Sequence, residues 1–349
     1  MEKILAENHM NKIKSLFDVE FVRDLFTREV LPLYPKFVAI NRIKIKPYKN
    51  MIWETTYHVV IGFDVYFVKG DGRETKVPLV CSAHSSEPRQ NVHLCLQYLW
   101  KQKFPNGAVN IPKPLFYSAH FNGTFYRAVK GNNLLYYIRK RKFSEVKKII
   151  IAAAGLFARL HALPANPEAN FNFLNSRIKT VIPGTEFIFR EMAERYQNKY
   201  NADLSEIYSF FIAAEEKFFL SRNSLTLIHG DAHPENIIRT GIGKIGLIDF
   251  TDFCLGDFAR DLGTFLQQLE YKLDKKDELK FASAEMRKLF LDTYLAISGR
   301  SLTAELQARI DLYYNWMAMR TAIYWFLKFG HNEERAEELL KKVKNNLKL

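Results

Sequence analysis

LIHGDAHPENIIRTGIGKIGLIDFTDFCLGDFARD, Leu227 to Asp261, changes character several times within a short span. An apolar run (Leu225, Leu227, Ile228) reads as a strand end and opens into a polar loop, His229-Gly230-Asp231-Ala232-His233-Pro234-Glu235-Asn236. Two apolar pieces follow, Ile237-Ile238-Arg239 and Ile245-Gly246-Leu247-Ile248, turned by Gly241 and Gly243, and Asp249 closes the second. Short β-prone pieces joined by glycine predict a tight hairpin, and a hairpin holds the side chains at its ends in fixed mutual positions.

Asn236 stands five positions after Asp231, and Asp249 thirteen after Asn236. Phosphoryl transfer needs a carboxylate that orients the attacking hydroxyl, and hard oxygen donors for a magnesium ion on the nucleotide phosphates. Kinase catalytic loops divide these tasks between an aspartate, an asparagine five residues on, and a second aspartate after a further strand. The residue types and their order here match that division.

On these residues the chain resembles the aminoglycoside phosphotransferase and choline kinase family, the kinase-like small-molecule phosphotransferases. The family's H-G-D-x-H-x-x-N loop is matched by His229, Gly230, Asp231, His233 and Asn236. Its I-D-[FWY] strand end is matched by Ile248-Asp249-Phe250, and its G-D-x-x-x-D-L segment by Gly256, Asp257, Asp261 and Leu262. The likeness is sharpest over this stretch and looser elsewhere. It implies an α+β, protein-kinase-like bilobal fold with an antiparallel-sheet N-lobe and a mainly helical C-lobe. Residues 1–129 would form the nucleotide-covering lobe, with a leading helix, the sheet and a helix C; residues 130–349 would carry the catalytic loop and metal site. Asp231 is then the catalytic group, Asn236 and Asp249 the Mg2+ ligands, and ATP the phosphoryl donor. His229 and His233 brace the loop, since an imidazole can hydrogen-bond twice, and Asp261 receives loop N–H groups in the interior. The family receives adenine on backbone groups near Arg127 to Val129.

Bulk composition sets bounds. A chain of 349 residues can bury one large core or two smaller ones, and 48% hydrophobic with 26% charged residues is ordinary for a globular protein. Cys81, Cys95 and Cys254 are too few and too scattered for a disulfide scaffold or a zinc site, and read as small buried hydrophobes. Met1-Glu2-Lys3 leads into Glu7, Asn8 and His9 rather than an apolar core, so the expectation is a cytoplasmic protein with no membrane span. The formal charge of +13 would attract a polyanion. Its basic residues are scattered apart from Arg139–Lys142 and Lys341–Lys344, and no nucleic-acid-binding signature is present, so a nucleotide and a small hydroxyl-bearing substrate are the expected partners. Oligomeric state is not legible.

Taken in order, residues 11–27 carry apolar positions near a helical period. Strands are expected over Ala39–Lys46, Tyr57–Val68 and Lys76–Ala83, with Pro47-Tyr48-Lys49-Asn50-Met51 between the first two. A helix starting near Ser85, with a hydroxyl cap, puts Val92, Cys95, Leu96 and Leu99 on one face. Two strands near 114–118 and 124–129 lead to a hinge at Lys130–Asn133. Beyond it, a helix capped by Ser144 runs towards His161 and Pro164, with His161 read as a structural hydrogen-bonder. Further helices cover about 186–199, 203–221, 283–298, 303–329 and 333–347, Gly330 ending the penultimate one.

The resemblance departs in the first lobe. Kinases grip the α and β phosphates with a third-strand lysine paired to a helix C glutamate. Ser82 occupies that position here, the helix offers no carboxylate on its apolar face, and no glycine-rich loop is present. Lys46, Lys49 or His84 would have to supply the charge, with Ser82 and Lys49 the nucleotide-facing candidates beside Arg127 and Val129. Two functional readings result: an ATP-dependent phosphotransferase moving the γ-phosphate to a small-molecule hydroxyl, or a catalytically impaired nucleotide-binding or regulatory relative. Acceptor specificity is not written in any motif, although Asp252, Asp257 and Glu270 would make an acidic pocket if they faced it.

Overall fold

Alternating β-branched and aromatic residues build one sheet, and helices build most of the remainder, in a computed structural model that describes residues 11–181, 183–221, 225–273, 280–327 and 332–349. The architecture is α+β. Residues up to Pro105 with Ile111–Lys130 form one unit; Asn106–Asn110 and the chain from Gly131 on form the other.

In the first unit, a 3-10 turn (Lys12–Phe17) precedes α1 (Val19–Glu29), whose first turn is capped by Asp18 accepting the Phe21 N–H at 2.9 Å. Then come β1 (Phe37–Ile52), β2 (Tyr57–Lys69), β3 (Glu74–His84), α2 (Gln90–Lys101), β5 (Lys113–Ser118) and β6 (Gly123–Arg127), with β4 (Val109–Asn110) falling between α2 and β5 in the chain but belonging to the second unit. All but β4 pair antiparallel in the order β1-β2-β3-β6-β5. Central β2 buries Val59, Ile61, Phe63, Val65 and Phe67 on one face, and Phe26 of α1 meets Phe63 edge-on at 5.1 Å. Each such side chain removed from water stabilises the unit by roughly 1.5–3 kcal/mol.

Two expectations fail here. Pro47–Met51 is not the connection between the first two strands: β1 continues through it by a bulge between Pro47 and Lys49, and the turn is at Trp53–Thr56. Because β1 is an edge strand, the missing Pro47 N–H need cost no ladder bond. Nor does Ser85 cap α2. The helix begins at Gln90 without a side-chain cap, and the Ser85 hydroxyl instead accepts the Tyr57 N–H. The expected Val92, Cys95, Leu96 and Leu99 face is buried.

The second unit contains β7 (Asn132–Asn133), α3 (Leu134–Arg139), α4 (Phe143–His161), α5 (Thr185–Tyr196), α6 (Asn201–Ser221), β8 (Thr226–Ile228), β9 (Ile237–Gly241), β10 (Lys244–Leu247), β11 (Cys254–Gly256), α7 (Ala259–Leu273), α8 (Lys280–Ser298), α9 (Ala304–Leu327) and α10 (Glu333–Leu347). The short α3 had no separate signal in the sequence. Ser144 lies inside the first turn of α4 rather than capping it. Gly330, expected to stop α9, lies outside the described residues. Two small sheets, β4-β10-β9-β7 and β11-β8, sit among the helices. Helix α7 is buried nearly all round, and Gly263 lets it approach α9 closely: a Cβ there would stand 2.5 Å from the Ile310 carbonyl oxygen. Among the described residues no helix is long and apolar enough to cross a membrane, and the three cysteines are free and buried.

Candidate active site

The loop from His229 to Asn236 is anchored at both ends by sheet. Its entry is β8, paired with β11 through Ile228↔Cys254; its exit is β9, paired with β10. The Ile248 N–H donates to the Asn236 carbonyl at 3.1 Å, so Asn236 and Asp249 leave neighbouring points of one hairpin. Asp249 adopts φ +63°, a left-handed conformation that aspartate tolerates better than bulkier residues. Gly230 is also left-handed, at φ +81°, and a Cβ there would stand 2.3 Å from the Asp252 carbonyl oxygen, so only glycine fits.

Beneath the loop, the first turn of α7 presents Asp261, fully buried. Its carboxylate accepts the N–H groups of His229 at 2.7 Å and Gly230 at 2.9 Å, and lies 3.1 Å from His161 Nε2. Burial opposes its ionisation. The hydrogen bond from His161, with the His229 ring and N–H, outweighs that and holds the carboxyl below its usual range. His161 Nδ1 is 2.9 Å from the Tyr294 hydroxyl, so the ring braces Asp261 from behind. Arg260, 1% exposed, donates to the carbonyls of Gly230 (3.3 Å) and Asn175, and the Asn175 amide reaches Asp252. His229 Nε2 meets the Ile248 carbonyl at 3.0 Å, tying the loop to the strand that precedes Asp249.

Above this support, a third of the Asp231 side chain remains accessible. His233 Nε2 is 3.2 Å from Asp231 Oδ2, and His233 Nδ1 is 2.9 Å from Glu235 Oε2, while Lys272 reaches Glu235 Oε1 at 2.7 Å. The ring sits between two carboxylates, and the Glu235 N–H also points at its Nδ1, at 3.2 Å. Burial alone would lower its pKa, but Asp231 and Glu235 raise it to about 10. Burial likewise disfavours the Asp231 carboxylate, and the charge of His233 more than offsets this, so Asp231 stays ionised. Asp252 goes the other way: burial, then the nearby Asp231 charge, push it to about 6. The Asn236 amide donates from Nδ2 to the Asp231 carbonyl at 3.0 Å and its carboxylate at 3.4 Å. Those bonds leave Oδ1, the hard donor, outside them.

The loop residues, Asn236, Asp249 and Asp261 are thus brought together within the second unit. Ser82, Lys49, Arg127 and Val129 belong to the first. There Lys49, Val60, Ser82 and Thr124 are cross-strand partners in one row, hence on one sheet face, whereas Arg127 pairs with Leu79 and lies on the other. Val129 follows β6, beyond Ala128, whose N–H donates to the Pro78 carbonyl. Lys49 Nζ is 3.1 Å from His58 Nε2; burial and then the Lys49 charge lower His58 to about 3, leaving a neutral ring to accept. Lys46 is committed to Asp64 at 2.6 Å, and His84 Nδ1 accepts the N–H groups of Ser86 and Glu87. Among the described residues no ion pair links β3 to α2.

Two of the three acidic candidates are neutralised by ion pairs. Asp257 is buried and bound by Arg309 at 2.7 Å and by the Ala259 N–H, and Glu270 is bound by Arg287 and Lys342, each at 2.6 Å. Asp252 alone of the three lies beside the loop. Sequence reasoning missed Asn175, Arg260 and Lys272, which reach the site from a connector and a helix and carry no local pattern.

Magnesium takes only one or two carboxylates from a protein and fills the rest of its shell with phosphate and water oxygens. No cage of three or more His, Cys, Asp or Glu side chains exists among the described residues. Asn236 Oδ1 and the exposed Asp249 carboxylate, steadied by the Thr251 hydroxyl at 2.8 Å, are the oxygen donors that such an ion accepts.

A family profile described as the phosphotransferase enzyme family matches residues 60–300. Solved structures share the fold at low identity. A streptomycin–ATP–APH(2")-IIa ternary complex is 13% identical with a TM-score of 0.53, covering 94% of this chain and 96% of its own. Aminoglycoside phosphotransferase APH(3'')-Id from Streptomyces rimosus is 14% identical with a TM-score of 0.53, covering 87% and 97%. An ethanolamine kinase from Plasmodium vivax is 15% identical with a TM-score of 0.51, covering 87% and 81%. No curated protein sequence matches significantly.

Proposed function

The chain belongs to the phosphotransferase enzyme family, and from that premise we propose that it transfers the γ-phosphoryl group of ATP to a hydroxyl of a small molecule. The observation that carries this reading is the accessible, ionised Asp231 on a loop held from beneath by Asp261. Asp231 accepts the acceptor's hydroxyl hydrogen and aims its oxygen at the γ-phosphorus; the new O–P bond forms as the bond to the β-phosphate oxygen breaks. His233 keeps Asp231 ionised through neutral pH. Asn236 and Asp249 would hold magnesium, which when bound neutralises charge on the phosphates. The test is magnesium-dependent ADP release in the presence of alcohols. Asp249→Ala is expected to lower it by about 10³-fold, the several kcal/mol that metal stabilisation of the transferring group supplies; undiminished release in that variant overturns the reading.

For the phosphate grip we assign Lys49. It lies in one cross-strand row with Val60 and Ser82, on the same sheet face. Lys49→Met is expected to raise KM for ATP about ten- to hundredfold, the value of a charge-assisted hydrogen bond, with kcat altered less. An unchanged KM removes Lys49 from the role.

A second reading rests on Ser82 and on the absence, among the described residues, of an ion pair between β3 and α2: a nucleotide-binding protein without turnover. Thermal stabilisation by ATP with no ADP release from any alcohol would select it.

A further inference from the structure

The second unit carries a cavity of about 400 Å³, open to solvent and within the range of small-molecule sites, that the reaction just described leaves unassigned. Phe187 and Ile188 of α5, Tyr208 of α6, and Trp316, Arg320 and Ile323 of α9 build most of its wall. Among the described residues that line it, Arg320 is the one charged group, and no carboxylate is present.

Contacts tie this cavity to the catalytic loop. Two guanidinium groups lie against the Trp316 indole, Arg320 at 5.0 Å and Arg260 at 4.8 Å from the ring centroid. Arg260 continues to the carbonyl of Gly230, the residue before Asp231. Arg320 also bears electrostatically on Asp231 and Asp252. A bound molecule therefore meets, on one wall, Trp316, which lies against the arginine that holds the loop, and Arg320, which bears electrostatically on the proposed catalytic aspartate.

The charge of the lining decides the class of molecule. An ammonium group entering the cavity would lose water, face Arg320 and find no carboxylate on the wall to replace its hydration. Of the acidic candidates, Asp257 and Glu270 are already bound by Arg309 and by Arg287 and Lys342, and Asp252, outside the cavity lining, accepts the Asn175 amide and faces the Arg320 charge. Aromatic and aliphatic walls suit a molecule with an apolar body. We propose that this cavity receives the acceptor, and that the acceptor is an uncharged, largely apolar alcohol rather than an amino alcohol or a polyamine. The inference rests on the phosphotransferase reading for its reaction and on the cavity for its chemistry.

The experiment separates the two. ADP release from magnesium-ATP is measured with the full chain and a panel of 3-phenylpropanol, cyclohexylmethanol, ethanolamine, choline and kanamycin, while binding of the same compounds is followed by tryptophan fluorescence. Phe187→Asp places a carboxylate on the wall at a partly exposed position, and Phe187→Leu is the conservative control. The expected result is a kcat/KM for apolar alcohols at least tenfold above that for the cationic ones. Phe187→Asp should reduce it at least tenfold with KM for ATP unchanged, and Phe187→Leu should restore most of it. Preference for cationic acceptors, or indifference to Phe187→Asp, overturns the cavity assignment while leaving the phosphotransferase reading intact. Apolar alcohols that bind, sensitively to Phe187→Asp, but are never phosphorylated overturn the reaction and support the cavity. Neither binding nor release overturns both.

Discussion

Asp231→Asn is expected to lower ATP-dependent phosphorylation by about 10²–10⁴-fold, the range for a positioned acid–base group. The substitution keeps the side chain's shape and removes the charge that pairs with His233. A merely structural role would show as lost stability; here the melting temperature should move by only a few degrees, because a third of the side chain is already in water. The second readout is the titration of His233. Its pKa of about 10 lies above the ordinary value because Asp231 and Glu235 outweigh burial. The pair therefore stabilises the fold fully below the ordinary histidine pKa of about 6.5 and loses that contribution as pH rises through about 10. With asparagine at 231, only Glu235 remains to hold the proton, and the titration observed by NMR should fall by more than one pH unit. Retained turnover, or an unmoved His233 titration, would count against both the role and the pairing.

How much of this was legible in the sequence depends on where the determinants lie. Asp231, Asn236 and Asp249 fall on one loop and one hairpin, so the chemistry fixes residue type and spacing over a few positions, and a linear reading finds them. The support beneath them is assembled from afar. His161 and Asp261 are 100 residues apart, Arg260 and Asn175 85 apart, and no periodicity announces such pairings. His161 was recognisable as a hydrogen-bonder but its partners were not. In the first unit, Pro47–Met51 was placed between the first two strands, yet Pro47 is inside β1. It sits on an edge strand beside a bulge, where a missing N–H need not be replaced, and whether a strand is edge or central is a tertiary fact. The acidic residues were misread for the opposite reason: composition showed the carboxylates at 257 and 270 but not the arginines and lysine that neutralise them, which come from α8, α9 and α10.

The same long-range support makes Asp261→Ala the substitution with the largest expected effect on stability. It deletes the acceptor of two buried backbone N–H groups and the partner of a buried imidazole, leaving three polar groups without water or a replacement. Breaking a buried, hydrogen-bonded charge in this way costs about 3–5 kcal/mol, or roughly 4–7 °C in melting temperature for a chain of this size. The pH dependence follows from the lowered pKa of Asp261. A depressed carboxylate contributes stability that is complete above its unfolded value of about 4 and disappears as pH falls through the folded one. The gap in melting temperature between parent and variant should therefore be widest near pH 7 and shrink below pH 4. A gap that stays constant with pH would mean that the cost is loss of packing, not of a charge-assisted acceptor. A variant as stable as its parent would mean that the loop N–H groups find other partners. In that case the position of Asp231 is set by the β8–β11 and β9–β10 pairings alone, and turnover should survive; if Asp261 holds the loop as its distances indicate, turnover falls even at temperatures where the variant remains folded.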